Sequence, residues 1–402
     1  MKKILIFSLA YYPKYVGGAE VALKEITDRI HESEMQFDMI TLRFDSGLPK
    51  EERVGNVSVY RIGFTGKNAA IGDLVRFPLV LNKYLFPFLA AWKAVQLQRS
   101  EKYDAIWAMM ANYAGFGALF FKLLNPKIPY LLTLQEGDSP EYIKKRVGLL
   151  GGLHALVFRK ADLIQAISRF LETWARNMGY RGELIVVPNA VDVAHFSQTY
   201  DEGDLEQLAA SLGKKNNERY IITTSRLVSK NGVDQVILAL KHLPNDVTFL
   251  ILGIGPDEPA LKKLAASSGV GERVRFLGQI GHADLPRYLK IAEVFVRPSR
   301  SEGMGNSFIE AMAADVPVVA TPVGGIVDFL FDPERDPGKE PTGLFARVDD
   351  PADLACQIKR LLDDKELRER IVANAHKMVA EKYDWELIAG DMKKKVFDRL
   401  VV

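Results

Sequence analysis

Short apolar runs alternate with longer amphipathic segments along the whole chain. The runs of the first half are residues 3–9, 37–42, 57–62, 104–109, 129–134, 162–167 and 184–188. Several of them are apolar throughout, as expected for strands that are buried on both faces of a parallel sheet. Helical patterns separate many of the runs. This alternation predicts βαβ units, in which helices cover a parallel sheet.

The same alternation begins again after a polar segment at residues 199–217. The second set of apolar runs comprises residues 219–225, 247–252, 274–278, 293–298 and 316–320, and three helical patterns follow near 351–363, 365–381 and 384–400. We therefore predict an α/β protein of two doubly wound, Rossmann-like domains that join near residues 189–192. Such sheets bind ligands at the C-terminal ends of their strands, so the cleft between the domains is the expected reaction site.

The two predicted domains differ in charge. The whole chain has a net charge of +2, which gives no reason to expect a nucleic-acid partner. Residues 1–190 carry a net charge of +7, whereas the remainder carries −5. A basic first half could meet anionic lipid or a phosphorylated acceptor, so peripheral membrane contact through the N-terminal domain is one expectation. A solvated surface without a partner is the alternative.

The cysteine content and the most apolar segments indicate a cytoplasmic protein. The chain has one cysteine, Cys356, so it can form no internal disulfide and no cysteine-based metal site. The N-terminal sequence MKKILIFSLAYYP meets Tyr-Tyr-Pro rather than a small-residue cleavage site, which favours a first strand over a signal peptide. Lysines, an asparagine and a proline interrupt the apolar stretch at 78–97, which predicts a buried or surface-seated helix rather than a membrane span.

Three turns at predicted strand ends carry glycines or cations. Gly17 and Gly18 precede a helix, where glycine lets a ligand approach the backbone and the helix start offers N–H groups to an anion. Arg226 and Lys230 lie between a strand and a helix, where two cations would suit a diphosphate. Gly255 lies in a similar turn. Flexible turns and exposed surface cations are the plain alternatives for these features.

The most specific segment is PSRSEGMGNSFIEAMAA, residues 298–314, which follows a predicted strand and precedes a helix. Its glycines and small polar residues expose consecutive backbone N–H groups, as a phosphate or a sugar hydroxyl requires. Glu302 lies on the loop and Glu310 about one turn into the helix, so one carboxylate could face a sugar and the other a ribose. A capping box formed by Ser307 and Glu310 is the structural alternative, but it explains neither Glu302 nor the glycines.

Together these motifs resemble a family-four glycosyltransferase of the GT-B architecture (glycosyl transferases group one), a group of retaining nucleotide-sugar transferases. The resemblance runs from residue 3 to the last helix, and it implies two Rossmann-like domains facing across a cleft. Residues 1–190 would form the acceptor-side domain, residues 191–383 the nucleotide-sugar domain, and helix 384–402 would cross back to the first. The matching segments are 17–20, 188–192, 225–230, 253–256, 302–313, 317–320 with 324–325, and 383–385.

The resemblance also implies roles for individual residues. Arg226 and Lys230 would hold the donor diphosphate and stabilise the departing charge. Glu302 would contact hydroxyls of the transferred sugar, and Glu310 would bind the ribose. Further donor contacts are implied for Gly17, Gly18, Gly255, Ile280, Gly303, Met304, Gly305, Asn306 and Ser307.

The segment that follows the strand at 129–134 departs from the family pattern. Family members commonly carry a histidine there, but this chain has Gln135, which is neither an acid nor a base at neutral pH. Glu136 or Asp138 could serve the acceptor instead, and the sequence does not choose between them. A turn-forming or solvated carboxylate is the alternative for both. Asp315 stands where the family usually has glycine.

The chain contains no Asp-x-Asp pair, so we expect no metal site and no cofactor, with cations and helix-start amides supplying the positive field. The expected activity is retaining transfer of a hexose from a UDP- or GDP-sugar to a glycan, glycolipid or other hydroxyl acceptor. Cell-envelope or exopolysaccharide synthesis, at the inner face of the cell membrane, would be its setting. A nucleotide-sugar epimerase of similar fold and a non-catalytic nucleotide-sugar-binding protein are the alternatives.

Overall fold

The computed structural model describes residues 1–215 and 217–400, without the side chain of Ile71. The chain divides into two compact units. The first comprises residues 1–189 and the segment that begins at Trp385, and the second comprises Ala190–Asp384. Each unit contains one sheet of mainly parallel strands that are joined through helices. The predicted class, α/β with two doubly wound sheets, is therefore confirmed.

The first unit contains an eight-stranded sheet in the order β3-β4-β2-β1-β5-β6-β7-β8. All neighbouring strands run parallel except β3 and β4, which form an antiparallel pair. The strands are β1 (Lys2–Phe7), β2 (Met35–Leu42), β3 (Glu51–Val54), β4 (Val57–Ile62), β5 (Ala105–Met109), β6 (Tyr130–Leu134), β7 (Leu163–Ala166) and β8 (Glu183–Val186). Seven of them match the predicted apolar runs, whereas β3, with the sequence EERV, lacks an apolar pattern and was not predicted.

Six helices connect these strands, and a helical segment at the end of the chain completes the unit. The helices are α1 (Gly18–Asp28), α2 (Leu81–Glu101), α3 (Tyr113–Leu124), α4 (Pro140–Val147), α5 (Gly151–Arg159) and α6 (Arg169–Asn177). The most apolar stretch of the sequence lies mainly in α2, as predicted. Within the ranges 1–215 and 217–400, the structure contains no helix that is both long and apolar enough to cross a membrane.

The second unit contains a six-stranded sheet in the order β11-β10-β9-β12-β13-β14, in which all neighbours run parallel. The strands are β9 (Arg219–Thr224), β10 (Val247–Leu252), β11 (Val274–Gly278), β12 (Val294–Arg297), β13 (Val318–Ala320) and β14 (Leu344–Phe345). The helices are α7 (Val193–Phe196), α8 (Glu202–Ser211), α9 (Val233–Ala239), α10 (Glu258–Ser267), α11 (Leu285–Lys290), α12 (Asn306–Ala313), α13 (Pro351–Asp363) and α14 (Lys365–Lys382).

The helical segment at the end of the chain consists of α15 (Trp385–Asp391), a π-helical stretch (Met392–Phe397) and α16 (Asp398–Leu400). The Phe397 ring packs on Trp107 of β5 and Phe37 of β2, with ring centroids 5.1 and 5.9 Å apart. The segment therefore closes one face of the first sheet with aromatic contacts. Positions 401 and 402 of the predicted helix lie outside the described residues.

Asp315 follows α12 and has a positive φ of 60°, a backbone conformation that glycine adopts most easily. This conformation explains why the family usually has glycine here. The Asp315 carboxylate pairs with Lys290 Nζ at 2.9 Å, and His376 Nδ1 lies 2.8 Å from it. We infer that the ion pair with Lys290 helps to stabilise an aspartate in this conformation.

Candidate functional site

The sheet of the second unit reverses its strand order between β9 and β12. From β9 the chain continues to β10 and β11 on one side, whereas β12, β13 and β14 lie on the other. Loops that leave adjacent strands at such a reversal diverge, and the crevice between them is the usual ligand site of open α/β sheets. The two loops here are residues 225–232 after β9 and residues 298–305 after β12. They carry Arg226 and Lys230 on one side and Glu302 on the other.

Backbone contacts hold these two loops together. The Arg300 N–H donates to the Lys230 carbonyl oxygen at 2.7 Å. Gly232 has a positive φ of 68°, and a Cβ there would collide with the carbonyl oxygen of Pro298, so only glycine fits this close approach. The Asn231 side-chain amide donates to the Arg226 carbonyl oxygen at 2.6 Å. The predicted cations and the predicted carboxylate therefore belong to one connected backbone framework.

Glu302 is buried and forms an ion pair with Arg297, the last residue of β12. The Arg297 guanidinium also donates to Ser307 Oγ at 2.5 Å and to Ser299 Oγ at 3.2 Å. It lies over the Phe308 ring, 4.7 Å from the centroid. Burial lowers the pKa of Arg297 to about 10, so the guanidinium is still charged at neutral pH. Arg297 thus fixes the orientation of the Glu302 carboxylate.

The sequence predicts no role for Arg297, which lies near the end of a predicted strand. One signal was present: an arginine ends an otherwise apolar run, VFVR. A buried arginine requires a partner, and Glu302 is the first carboxylate that follows it along the chain.

Helix α12 begins at Asn306, with Gly305 as its N-cap at a positive φ of 93°. Ser307 lies inside the first turn, and its hydroxyl accepts from Arg297. The capping-box alternative, which placed Ser307 at the N-cap, is therefore wrong. The Gly303 N–H donates to Glu302 Oε1 at 3.2 Å. Of the predicted donor loop, Gly303 and Met304 are buried, whereas Gly305, Asn306 and Ser307 are half-buried.

The Gly324–Gly325 turn after β13 packs against the backbone of the Glu302 loop. Gly324 has a positive φ of 56°, and a Cβ there would collide with the Glu302 carbonyl oxygen. The Gly325 N–H donates to the same oxygen at 3.3 Å. A side chain at position 324 would displace the backbone of Glu302. Glycine is therefore required here for the observed position of the Glu302 loop.

Glu310 lies in α12, and its side chain is 17% exposed. Burial raises the pKa of Glu310 to about 7, and the charge of Arg297 opposes that rise. His282 Nε2 lies 3.9 Å from Glu310 Oε1. The His282 ring stacks on His195 with centroids 5.5 Å apart and planes at 20°. The His282 imidazole, stacked on that of His195, therefore lies beside the carboxylate that is predicted to bind a ribose.

The turn that contains Gly255 lies against the loop that carries Arg226. A Cβ on Gly255 would collide with the Leu227 backbone, so the glycine allows the two turns to pack. The Gly253 N–H donates to the Gly278 carbonyl oxygen at 2.7 Å. Ile280 is half-buried two residues beyond Gly278. The structure thus connects the turns after β9, β10 and β11 through backbone contacts.

The first unit has its own reversal of strand order, between β1 and β5. Gly17 and Gly18 lie at the end of the long loop after β1, and Gly18 is the first residue of α1. Glu20 Oε2 accepts from the Gly17 N–H at 3.1 Å. Burial raises the pKa of Glu20 to about 7. The paired glycines therefore lie at a helix start near the switch point of this sheet, where an anion could approach.

Glu136 connects the loops that follow β5 and β6. Its Oε1 accepts from the Ala111 N–H at 2.6 Å and its Oε2 from the Gln135 N–H at 3.0 Å. The carboxyl is buried, and this burial raises its pKa to about 7. His154 Nε2 lies 3.0 Å from the Ala111 carbonyl oxygen. This geometry favours a structural role for Glu136 in the loops over the catalytic role suggested from the sequence.

Gln135, at the position of the family histidine, pairs with Asn189. The Gln135 Nε2 donates to Asn189 Oδ1 at 3.1 Å, and the Asn189 Nδ2 donates to Gln135 Oε1 at 3.2 Å. The Gln135 amide is thus held within the first unit. Asp138 is half-buried and lies two residues beyond Glu136 in the same loop.

The buried Glu136 gives a testable pH dependence. A carboxyl whose pKa is raised on folding favours the folded state while it is protonated, so its contribution falls as the pH rises from its ordinary value of 4.5 to about 7. The slope from one such group reaches about 1.4 kcal/mol per pH unit. We expect Glu136→Gln to destabilise the protein at about pH 5, because its amide cannot accept both backbone hydrogen bonds, and the difference from wild type to shrink towards about pH 8.

Urea unfolding across this pH range measures the difference. Glu141→Gln, at an exposed position of α4, is the matched control. Its difference from wild type should not follow the same pH curve. A Glu136→Gln difference that stays constant from about pH 5 to about pH 8 would contradict the raised pKa.

Comparisons with known proteins identify the family. A family model described as Glycosyltransferase Family 4 matches residues 16–195, and one described as Glycosyl transferases group 1 matches residues 204–378. An uncharacterized glycosyltransferase from Methanocaldococcus jannaschii is 26% identical over 97% of this chain and 96% of its own length. The alpha-monoglucosyldiacylglycerol synthase from Acholeplasma laidlawii is 30% identical over 61% of this chain and 58% of its own length.

A solved structure shares the fold of the whole chain. The crystal structure of HepE from Anabaena, in complex with UDP-glucose, matches with a TM-score of 0.78 and 22% identity. The match covers 99% of this chain and 100% of HepE. Because the two family models together match most of both units, and this GT-B structure has the same fold, the chain belongs to the family 4 (group 1) glycosyltransferases of GT-B architecture.

Proposed function

We propose that the chain transfers a hexose-type sugar from a UDP- or GDP-sugar to a hydroxyl group of a glycan or glycolipid, with retention of anomeric configuration. The joined loops after β9 and β12 are the observation that supports this proposal most. They set Arg226, Lys230 and the buried Glu302 on one backbone framework at a switch point. A nucleotide-diphosphate sugar presents the complementary groups, an anionic diphosphate next to a sugar rich in hydroxyls.

Each part of the donor has a proposed partner in the second unit. Arg226 is exposed and Lys230 half-buried, and we assign both to the diphosphate. The Glu302 carboxylate accepts hydrogen bonds from the sugar, and backbone groups from Gly303 to Ser307 hold the sugar and phosphate. Glu310 accepts from the ribose hydroxyls, and Ile280 borders the base. Gly17 and Gly18 of the first unit and Gly255 of the second complete the proposed contacts.

Arg297 is a positioning residue in this proposal. Its guanidinium reaches Glu302 and Ser307 at the same time, so it couples the sugar-binding carboxylate to the first turn of α12. A carboxylate that is already oriented loses no further conformational freedom when the sugar binds.

The proposed reaction needs no nucleophile from the protein. The bond between the anomeric carbon and the diphosphate oxygen breaks, and the acceptor oxygen attacks the oxocarbenium-like sugar on the same face. The acceptor proton passes to the departing phosphate oxygen, so the products are the glycosylated acceptor and a nucleoside diphosphate. Arg226 and Lys230 stabilise the negative charge that develops on the leaving group. We propose that these cations take the place of a divalent metal ion.

The relatives support the donor and acceptor classes. HepE was crystallised with UDP-glucose, which supports a UDP-sugar donor. The Acholeplasma relative is a synthase of a glycosylated diacylglycerol, which supports a lipid acceptor. We place the acceptor on the first unit and assign Asp138 to contact it. We place the protein at the cytoplasmic face of the cell membrane, in cell-envelope or exopolysaccharide synthesis.

Thermal unfolding with a panel of nucleotide sugars tests the donor assignment. We expect one UDP- or GDP-hexose to stabilise the chain by about 2.7 kcal/mol at a concentration 100 times its dissociation constant. ADP-glucose and free glucose serve as controls. If every member of the UDP and GDP series leaves the melting temperature unchanged, the proposed donor class is wrong.

Product analysis tests the reaction. Release of nucleoside diphosphate should require an added acceptor, persist in EDTA, and yield a glycoside with the same anomeric configuration as the donor, as read by proton NMR. An epimerase would change the sugar without that release, and a binding protein would release nothing. Inverted product would contradict the proposed same-face attack.

A further inference from the structure

Exposed large hydrophobic side chains are concentrated in the first unit. Among the residues that the structure describes, those of the second unit are Ile254 and Val348. Those of the first unit include many on or near α2, α3 and α4, namely Phe77, Tyr84, Leu85, Phe88, Trp92, Leu123, Leu124, Tyr142, Leu149 and Leu150. Single exposed apolar residues are ordinary, but a contiguous group marks an interaction surface.

The outer faces of α2 and α3 form an apolar groove of about 340 Å³. The two helices pack along one another, and the Phe88 and Phe120 rings stack across them with centroids 5.1 Å apart. Phe88 is 61%, Trp92 62% and Leu124 67% exposed. The other lining residues are Ala91 and Val95. We call this surface the α2–α3 groove.

The charged residues of the segments that form the groove are basic, and the acidic Glu101 lies at the far end of α2. Residues 77–98 contain Lys83 and Lys93 as their only charged side chains, and residues 105–135 contain only Lys122 and Lys127. Lys93 and Lys122 form ion pairs with acidic side chains outside these segments. The sequence of the groove itself therefore supplies apolar and cationic groups and no acidic ones.

A basic, exposed segment lies nearby in the same unit. Helix α3 packs between α2 and α5, and α4 packs on α5. Every residue of α4 is exposed or half-buried, and Lys144, Lys145 and Arg146 are exposed. Leu149 and Leu150 follow at once and are also exposed. We call residues 142–150 the α4 tip.

We propose that the α2–α3 groove and the α4 tip dock the first unit on an anionic lipid bilayer. Tryptophan, tyrosine and leucine side chains partition into the boundary between headgroups and acyl chains. The lysines and arginine meet anionic headgroups, while lysine stems extend along the apolar layer. The net charge of +7 on residues 1–190 acts in the same direction.

Charge favours a bilayer over a second copy of this chain. A two-fold contact would bring the same groove face to face with itself. The lysine-only sequence of one copy would then oppose the lysines of the other, whereas anionic headgroups complement them. The biological use of this surface rests on the proposed function, since a lipid-embedded acceptor would be met there. Binding to the bilayer itself needs no substrate.

Vesicle flotation with the full chain and no substrate tests the proposal. We expect binding to vesicles of phosphatidylcholine with phosphatidylglycerol, weak binding to phosphatidylcholine alone, and loss of binding as salt rises. Phe88→Glu with Trp92→Glu should abolish flotation. Lys144→Glu with Lys145→Glu and Arg146→Glu should weaken the partition coefficient on the order of a hundredfold, at about fivefold for each basic residue lost.

Matched variants in the second unit keep the test specific. Ile254→Glu with Val348→Glu adds the same acids at exposed apolar positions, and Lys241→Glu with Lys263→Glu and Lys359→Glu makes the same charge change at exposed lysines. Both should float like the wild type, and circular dichroism should show that every variant is folded.

Three results would overturn the proposal. The first is that the wild type shows no preference for anionic vesicles, and the second is that the matched variants lose as much flotation as the groove and tip variants. The third is a wild-type dimer that does not float and that Phe88→Glu with Trp92→Glu dissociates.

Stabilisation by nucleotide sugars is measured on the same proteins. If nucleotide sugars stabilise the wild type but it does not float, the docking surface is wrong and the proposed function stands. If the wild type floats but no nucleotide sugar stabilises it, the docking surface stands and the proposed function is wrong.

Discussion

Replacing both Arg226 and Lys230 with alanine should lower the rate of sugar transfer about a hundredfold or more, which is the scale of losing preorganised charge at a developing anion. In the proposed reaction, the diphosphate gains negative charge as its bond to the sugar lengthens. The two side chains leave the loop after β9, which is joined to the Glu302 loop. Since that charge is largest in the transition state, kcat should fall by more than the dissociation constant of the donor rises.

The fold should survive this double substitution. The contacts that hold the loop use the backbone carbonyl oxygens of Arg226 and Lys230, which accept from the Asn231 amide and the Arg300 N–H. Alanine keeps both oxygens. Urea unfolding should therefore give nearly the wild-type free energy, while steady-state release of nucleoside diphosphate reports the lost rate.

Lys241→Ala with Lys263→Ala is the matched control, because both lysines are exposed on the second unit and lie outside the predicted loops. It removes the same charge and should leave turnover unchanged. The single variants Arg226→Ala and Lys230→Ala divide the effect between the two cations. If the Arg226→Ala, Lys230→Ala protein turned over at nearly the wild-type rate, neither side chain would have the role assigned to it.

The fold could be predicted from the sequence because buried parallel strands are short and apolar. Such runs are visible in the sequence even when it is not known which strands pair with one another. The pattern fails where a strand is exposed or very short. The β3 sequence EERV forms an exposed edge, and β14 has two residues. Neither carries the apolar run that identifies the strands in the middle of each sheet.

The sequence predicts only part of the candidate site, and the reason differs from that for the strands. Sequence order places Arg226, Lys230 and Glu302 after strands, and adjacent parallel strands bring their C-terminal ends together. It does not give the direction of a side chain. Glu136 also follows a strand, yet its carboxylate turns inward to two backbone N–H groups. Arg297 lies in a predicted strand, yet its guanidinium reaches the side chains of Ser299, Glu302 and Ser307.

Arg297→Met should destabilise the protein by about 3–5 kcal/mol and abolish transfer, because it leaves the Glu302 carboxylate buried without its partner. Both side chains of the pair are about one-tenth exposed. The same variant also removes the donor to Ser307 in the first turn of α12. Urea unfolding and steady-state turnover measure the two losses separately.

A second substitution separates the structural role of the pair from its role in the reaction. Arg297→Met with Glu302→Met replaces a buried ion pair by apolar side chains of similar volume, which is often neutral for stability. We expect the double variant to regain most of the lost free energy of unfolding and to remain inactive. Recovery of stability without recovery of transfer would assign Glu302 to the sugar rather than to the fold.

Arg297→Lys tests positioning, because lysine keeps the charge but not the planar fork that reaches Glu302 and Ser307 together. We expect kcat to fall about a hundredfold, the effect of a misplaced group, with a smaller change in KM. The control is Arg275→Lys, since Arg275 pairs with Glu218 at 2.9 Å near the other ends of the strands. It should lose some stability and no activity. Equal kinetic losses in the two lysine variants would show that Arg297 only stabilises the fold, because only Arg297 contacts a carboxylate proposed to bind the sugar.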